Sequence, residues 1–420
     1  MRRFLVIMLI VGLVSSSVML ASVITVWDVW TTGTMKPVID EAAVRFEKWN
    51  PGMQINVVHI QNDPFKTKLK IAMGAGTPPD IFQSWGGGVL KTYIDAGKVY
   101  PLDKLNAWLK AKFMSSAFDP VTFNGHIYGI PAESVTGAFF WYRKSIFKKH
   151  NIQIPKTWSD FLDVCSKLKK NGIIPIALAN RTKWPGSFYY MYLADRIAGY
   201  EFVQKVLNHE KGYSFVSDPY IQAGKMLQEL VKMGAFEKGF NGLDYDTGQS
   251  RALFYTGKSA MILMGSWLYG AIKREAPQVI DDIGIFNFPM VENGKGDPDD
   301  LVGSPGQDYL CITNAAKDKR AAMLFLRNYF TDAIALQEAV AGGNLIPFKG
   351  VETFVTDPVV SEELNLFMGA KHVQLWYDQF LPPELGEVHK NVVQALFGLQ
   401  ITPEQASEQQ QKAFDKYYSK

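Results

Sequence analysis

The sequence predicts an α/β protein made of two lobes. Its 420 residues exceed what one compact core usually holds, so two domains are expected. The early part of the chain alternates strand-like and helix-like segments, as in a parallel sheet with crossover helices. Beyond Phe123 this alternation gives way to turn signals and interrupted strands. We therefore expect the chain to cross into a second lobe between Gly129 and Glu133.

The first residues have the pattern of an export signal. Two arginines precede an apolar run from Phe4 to Val14, which is too short to span a bilayer comfortably. Small residues follow and allow cleavage after Ser17 or after Ala21, so residues 1–21 are assigned to the signal with its site left open. No cysteine in this region could carry a lipid anchor. The expected protein is exported, soluble and periplasmic.

Composition and charge exclude several classes of partner. Without the two arginines of the signal, 44 − 2 = 42 basic side chains face 41 acidic ones, which does not suggest a nucleic acid or an anionic membrane. The six histidines lack metal-ligand spacing, so no metal or cofactor is expected. Cys165 and Cys311 fall in different predicted lobes, and we expect two buried thiols rather than a disulfide bridge.

The first lobe begins with three predicted strands and two helices in alternation. They cover residues 24–27, 36–49, 54–58, 64–73 and 80–83. In such sheets ligands bind beyond the carboxyl ends of the strands. The side chains predicted to converge at that edge are Trp30, Thr31, Asn62, Asp63, Ser84 and Trp85.

A hairpin signal at Asn124-Gly125 precedes the predicted crossing, and the second lobe is predicted beyond it. Further strands are expected at 139–142, 174–178, 259–264 and 283–289, with a helix at 158–169 and more helices up to residue 255. The chain then returns near residues 303–308 to add a strand and a helix to the first lobe. The predicted lobes are 22–131 with 306–346, and 132–305 with 347–420.

Tryptophans recur where glycine or proline marks the end of an element. Trp85 precedes three glycines, Trp184 precedes Pro185-Gly186, and Trp267 follows Gly265-Ser266. A flat ring beside residues without side chains offers a surface on which a ligand can lie. The competing interpretation is that these rings belong to the core and that the glycines only turn the chain.

Catalytic motifs are weak in this sequence. There is no Gly-x-Ser-x-Gly elbow, and Cys165 has no evident histidine partner. A glycosidase, however, needs only two facing carboxylates, and the chain contains many. A secreted glycoside-active enzyme is therefore the alternative to a binding protein.

Several segments in a fixed order carry a resemblance to a known family. They are residues 46–57, 74–88, 128–131, 141–144, 155–161, 172–177, 257–261 and 264–267. With them the chain resembles the extracellular solute-binding proteins of ABC importers, in the carbohydrate-binding branch that includes maltose-binding protein. One departure is Arg143, which stands where the family commonly has asparagine and is expected to serve packing.

The resemblance implies a type II-like periplasmic-binding-protein fold. Two α/β lobes joined by hinges would enclose a sugar, expected to be an oligosaccharide, and deliver it to permease subunits without catalysis, as a monomer without cofactor. Aromatic rings would cover the sugar faces while polar groups bind the hydroxyls. Trp85 and Trp267 would do so from opposite lobes, with Trp30, Trp184 and Trp376 either in the cleft or in the core. The polar candidates are Asn62, Asp63, Ser84, Glu133 and Asp308.

Overall fold

The computed structural model describes residues 22–419, so the predicted signal in residues 1–21 lies outside the described residues. The strands, numbered in chain order, are β1 Ser22–Asp28, β2 Met53–His59, β3 Ile81–Ser84, β4 Val99–Tyr100, β5 Thr122–Phe123, β6 His126–Ile127, β7 Ile130–Pro131, β8 Thr136–Arg143, β9 Ile174–Ala177, β10 Ser259–Gly265, β11 Ile283–Phe286, β12 Leu301–Ser304, β13 Tyr309–Thr313 and β14 Val373–Leu375.

The α-helices surround these strands. They are α1 Met35–Trp49, α2 Asn62–Ala75, α3 Gly87–Asp95, α4 Asn106–Lys112, α5 Lys144–Lys149, α6 Trp158–Lys170, α7 Trp184–Ala198, α8 Tyr200–Leu207, α9 Asp218–Met233, α10 Gln249–Tyr255, α11 Trp267–Glu275, α12 Lys319–Phe325, α13 Ala333–Ala341, α14 Pro358–Gly369, α15 Tyr377–Phe380, α16 Pro383–Phe397 and α17 Pro403–Tyr418. No helix between residues 22 and 419 is both long and apolar enough to cross a membrane.

The first sheet has the order β2-β1-β3-β13-β4, and β7 also pairs with β13. Strands β1, β2 and β3 run parallel, whereas β13 is antiparallel to its neighbours. The apolar face of α1, which includes Val38, Ile39, Ala42 and Phe46, is buried. The predicted alternation of strands and helices is thereby confirmed, and so is the return of residues 309–313 to this sheet.

The second sheet has the order β14-β12-β8-β10-β9, with β11 pairing along β8. Strand β8 runs antiparallel to β10, β11 and β12, whereas β9 runs parallel to β10 and β14 runs parallel to β12, so this sheet is mixed. The sequence analysis did not predict β12 and β14. These strands have four and three residues and lie within loops and helical segments, which gives them little periodic signal.

Two local predictions are confirmed by side-chain contacts. Arg143 serves packing: its Nε donates to Asp282 Oδ2 at 2.7 Å, and its Nη1 donates to the carbonyls of Phe254 and Tyr255 at 2.9 and 2.8 Å. Cys165 and Cys311 are both buried free thiols, in α6 and β13.

The chain passes between the sheets from β7 to β8 and from β12 to β13, and residues 344–345 lie beside both passages. We keep the lobe boundaries 22–131 with 306–346, and 132–305 with 347–420, as a proposal. Pro347 and Lys349 still form backbone hydrogen bonds with residues 112–114, close to the last of these boundaries. Helix α14 then packs on β8 and β11.

At the ends of β1 and β2, a partly buried histidine lies between two carboxylates. His59 Nδ1 lies 2.7 Å from Asp28 Oδ1, and His59 Nε2 lies 3.0 Å from Asp40 Oδ1. The hydrogen bond to Asp28 is the largest cause that raises the pKa of His59. A raised pKa stabilises the fold below the unfolded value of about 6.5, and this stabilisation is lost as the pH rises through the folded value.

We predict that His59→Ala lowers the free energy of unfolding by about 1.5–3 kcal/mol at pH 6, the usual contribution of hydrogen bonds to charged groups. At pH 9 the two proteins should differ less in free energy of unfolding, because His59 loses its stabilising charge as the pH rises. Urea denaturation at both pH values measures it. The control is His126→Ala, which removes a half-exposed partner of Asp103 and should change stability by less than about 1 kcal/mol. Equal losses at pH 6 and pH 9 would contradict this account.

Candidate functional site

A cavity of about 190 Å³ lies between the two sheets, where strands of both end. A water molecule needs about 10–15 Å³ of such space, so the cavity is large enough for a small-molecule ligand. Its first wall consists of residues 29–34 after β1, Asn62 and Lys66 on α2, and Trp85 after β3. The opposite wall comes from α7, α11, the segment 245–251 and the turn after β14. The floor is formed by the passages between the sheets.

The second-lobe wall is a cluster of aromatic rings. The ring of Trp267 lies 5.9 Å from those of Trp184 and Trp376, edge to face in both cases, and Phe188 lies 4.6 Å from Trp376. Trp376 is fully buried, and its Nε1 donates to Gln307 Oε1 at 2.7 Å. Trp184 and Trp267 are only partly buried. The cluster therefore presents two partly open rings on a fixed apolar base.

The position of Trp267 depends on the glycine that precedes it. A Cβ atom built on Gly265 would lie 2.2 Å from the Trp267 ring, so the ring folds back over the end of β10. This close approach explains why the strand ends in Gly-Ser-Trp.

The first-lobe wall holds two further tryptophans. Trp30 is 4% exposed and stacks on Phe330, with ring centroids 6.0 Å apart. Trp85 is 7% exposed and meets Phe65 edge to face at 5.8 Å, while Lys66 Nζ lies 5.0 Å from the Trp85 ring. Both rings line the cavity and are also packed against core residues. The core and cleft interpretations of these two tryptophans are therefore compatible.

A pair of carboxyl groups forms the floor. Asp308 is buried, and both its burial and the nearby charge of Glu133 raise its pKa well above the usual value. Asn344 Nδ2 donates to Glu133 Oε1 at 3.5 Å, and Ser134 Oγ donates to Asn344 Oδ1 at 2.8 Å. Carboxyl, amide and hydroxyl groups therefore lie side by side on the floor, and together they offer the donors and acceptors that the hydroxyl groups of a ligand need.

Charged side chains border the aromatic wall. Arg251 donates to both oxygens of Glu275 at 2.9 Å and to the carbonyl of Tyr245 at 2.7 Å, which holds its guanidinium in place. Burial raises the pKa of Asp246 to about 6, and burial lowers the pKa of Lys66. Among residues 22–419, no group of three or more His, Cys, Asp or Glu side chains is placed to hold a metal ion.

The structure brings together most of the residues that the sequence analysis selected. Nine line the cavity: Trp30, Thr31, Asn62, Trp85, Glu133, Trp184, Trp267, Asp308 and Trp376. Ser84 and Asp63 are not among the lining residues. The buried Ser84 hydroxyl accepts a hydrogen bond from the Gly86 amide at 3.3 Å, inside the turn after β3. Asp63 is partly exposed in the first turn of α2.

The sequence analysis missed other lining residues. Four of them had a usable signal, because each shares a helix face with a selected residue. Lys66 lies four residues after Asn62 on α2, Phe188 lies four residues after Trp184 on α7, and Gly270 and Ala271 lie three and four residues after Trp267 on α11. The remainder lie in turns or loops or on other helices, without such a partner. They include Ser134, Tyr245, Asp246, Arg251, Gln307, Asn344, Asp378 and Gln379.

Comparisons with known proteins agree in one family. The model described as bacterial extracellular solute-binding protein matches residues 29–335. An uncharacterized ABC transporter extracellular-binding protein of Pyrococcus horikoshii is 31% identical over 268 residues, which are 62% of this chain and 59% of that protein. The chain thus spans less than two thirds of that relative. The multiple sugar-binding protein of Streptococcus mutans is 26% identical over 78% of this chain and 74% of its own length.

A solved structure extends the likeness to nearly the whole chain. It comes from work on xylan utilization by the thermophilic bacterium Caldanaerobius polysaccharolyticus and is 32% identical. The alignment covers 93% of this chain and 99% of that one, with a TM-score of 0.86. The two-lobe fold expected from the sequence is confirmed by this likeness.

We predict that Asp308→Asn makes the free energy of unfolding less dependent on pH. The raised pKa means that the fold is favoured while Asp308 keeps its proton, below its unfolded pKa of about 3.9, and loses this contribution as the pH rises. Asparagine keeps the size of this side chain but has no proton to lose in this pH range. Urea denaturation between pH 4.5 and pH 8 measures this free energy. As the pH rises, the stability of the variant should increase relative to that of the original protein. The exposed Asp281→Asn serves as control, and parallel pH profiles for all three proteins would contradict the assignment.

Proposed function

Because this chain belongs to the bacterial extracellular solute-binding protein family, we propose that it is the sugar-binding component of an ABC importer. The names of its relatives support a saccharide as the ligand, with sugar binding in one and xylan utilization in another. The finer proposals are an oligosaccharide ligand, permease subunits as partners, and export into the periplasm as a monomer.

The observation that carries this proposal is the lining of the cavity. Aromatic rings from both lobes face one space, with carboxyl, amide and hydroxyl groups between them. A pyranose ring has apolar C–H faces and a rim of hydroxyls, so rings can cover its faces while the polar groups bind its edge. A mainly aromatic wall also suits a neutral ligand whose polar atoms lie around its rim and leave its faces apolar.

Binding and closure are coupled in this proposal. A saccharide that contacts both lobes binds the closed arrangement better than an open one, and this difference in affinity shifts the population toward closure. The import machinery would then distinguish loaded from empty protein by the relative position of the lobes.

The enzymatic alternative would need two carboxyl groups facing the sugar, about 5–5.5 Å apart for retention or about 6.5–9.5 Å apart for inversion. Glu133 and Asp308 both line the cavity, but a pair of carboxyl groups in a binding site also serves to bind hydroxyl groups. The family model and the two relatives from Pyrococcus horikoshii and Streptococcus mutans are described as binding proteins. We propose that the protein binds its saccharide without cleaving it.

We predict that Trp267→Ala weakens saccharide binding by about thirtyfold, which corresponds to the ~2 kcal/mol that central aromatic anchors contribute. A thermal-shift screen of mono- to pentasaccharides, with xylotetraose as the first probe, identifies the sugar for calorimetric titration. Ligand-free melting should change little, because the ring is partly open. Trp49→Ala, on the exposed face of α1, is the matched control and should bind normally. A large decrease in melting temperature with unchanged affinity would show that Trp267 is a core residue and does not bind the sugar.

We also predict that a saturating saccharide reduces the radius of gyration in solution scattering, because the closed arrangement is more compact. A sugar excluded by the screen is the control for solvent effects. Superimposable curves with and without the bound sugar would remove the closure mechanism. Release of smaller sugars at catalytic rates in the same samples would instead favour the enzyme.

A further inference from the structure

We propose that the glycine surface, Gly86–Gly88, positions part of the binding site by accepting the docking turn, Trp376–Leu381, from the opposite lobe. The contact brings the side chains of Asp378 and Gln379 into the cavity when the lobes close. This inference rests on the proposed function, because it specifies which contact sets the closed arrangement.

The two segments belong to different sheets. The glycine surface follows β3 of the first sheet and begins α3, whereas the docking turn follows β14 of the second sheet and contains α15. Helices α3 and α15 are in contact. The contact therefore joins the two lobes at one edge of the cavity.

The approach is backbone to backbone. A Cβ atom on Gly87 would lie 2.3 Å from the carbonyl oxygen of Gln379, and one on Gly88 would lie 2.5 Å from the carbonyl carbon of Leu381 and 2.6 Å from its oxygen. Such distances are far below van der Waals contact. Any side chain at these positions would force the two segments apart.

Gly88 shows that the docking contact, and not the backbone conformation, requires glycine at this position. Gly86 and Gly87 have φ angles of +75° and +58°, which favour glycine in any case, and Gly86 also packs on Pro120. Gly88 has no positive φ and occupies the first turn of α3, where alanine is well tolerated. The nearest atoms to a Cβ at Gly88 all belong to Phe380 and Leu381. The docking turn alone explains the absence of a side chain there.

The docking turn cannot easily yield to such a side chain. The amides of Phe380 and Leu381 donate to the carbonyls of Trp376 and Tyr377 at 2.8 and 3.0 Å. Trp376 is fixed by its bond to Gln307, and a Cβ on Gly386 of α16 would lie 2.9 Å from the Asp378 backbone. The turn is thus held on the side away from the glycine surface. A collision at Gly88 would move the lobes rather than the turn.

The docking turn carries groups that face the ligand space. Asp378 and Gln379 line the cavity together with Trp376. Gln379 Oε1 is buried, and no hydrogen bond to it is found among residues 22–419. A second cavity, which shares no lining residue with the first, is lined among others by Gly87, Gly88, Leu375 and Leu381. The contact therefore also separates the ligand cavity from this second space.

The test compares Gly88→Ala with Gly74→Ala. Gly74 lies in α2, has no positive φ, and a Cβ there would meet no atom within 4 Å. Both variants gain the same methyl group in a helix, so their ligand-free melting temperatures should stay close to that of the original protein. The apparent Kd is inversely proportional to the fraction of protein that can close. If Gly88→Ala lowers that fraction tenfold, the apparent Kd rises about tenfold.

The measurements are calorimetric titration and solution scattering with xylotetraose, or with the best-binding sugar of the screen. Gly88→Ala should bind at least about tenfold more weakly and compact less at saturation, while Gly74→Ala behaves as the original protein. Normal binding and compaction by Gly88→Ala overturn the inference. If Gly88→Ala fails to fold, Gly87→Ala, whose Cβ would meet Gln379, is compared with Gly76→Ala, which also has a positive φ but whose Cβ would meet no atom within 4 Å. Equal binding by these two variants overturns the inference.

Failure of the proposed function gives a different result. In that case the original protein binds no sugar of the screen, and the contact is tested on ligand-free scattering curves. A more extended Gly88→Ala than Gly74→Ala then supports the contact, and superimposable curves overturn it.

Discussion

The structure depends on the hydrogen-bonded passages between its two sheets. The Ala132 amide donates to the carbonyl of Asp308 at 2.7 Å, Gln307 donates to Ser134 at 3.0 Å, and Val135 donates to Leu345 at 2.9 Å. Since buried backbone groups need partners, these bonds hold the three segments side by side. They place the ends of strands from both lobes around one space. The pairing of Glu133 with Asp308 is a direct consequence of this arrangement.

The rigid apolar surfaces and the polar groups of this site are supplied by different parts of the fold. The aromatic rings are attached to strand and helix ends and are fixed by packing, as Trp267 is over Gly265 and Trp376 is by Gln307. The polar groups lie on the passages and turns, where they hydrogen-bond to one another. A ligand with flat apolar faces and a polar rim fits both parts at once, at low cost in side-chain entropy.

Much of the site could be predicted because parallel strands end at one edge of a sheet. Trp30, Asn62 and Trp85 lie within three residues of the ends of β1, β2 and β3, so the order of elements alone brings them together. The same rule selected Ser84, which is the last residue of β3 and turns its hydroxyl toward its own backbone. Proximity to a strand end does not decide the direction of a side chain, because successive residues of a strand point to opposite faces.

Local periodicity and turn chemistry were sufficient to predict the α/β class, the passages between the lobes and the tryptophans at glycine-marked ends, and the length of the chain predicted two lobes. Neither indicated that Asp378 and Gln379 reach the cavity or that Gly88 must lack a side chain, which became evident from the folded arrangement. These features depend on contacts between segments separated by nearly 300 positions along the chain, to which no local pattern is sensitive. Both features depend on the relative position of the two lobes, because that position determines which backbone atoms come into contact.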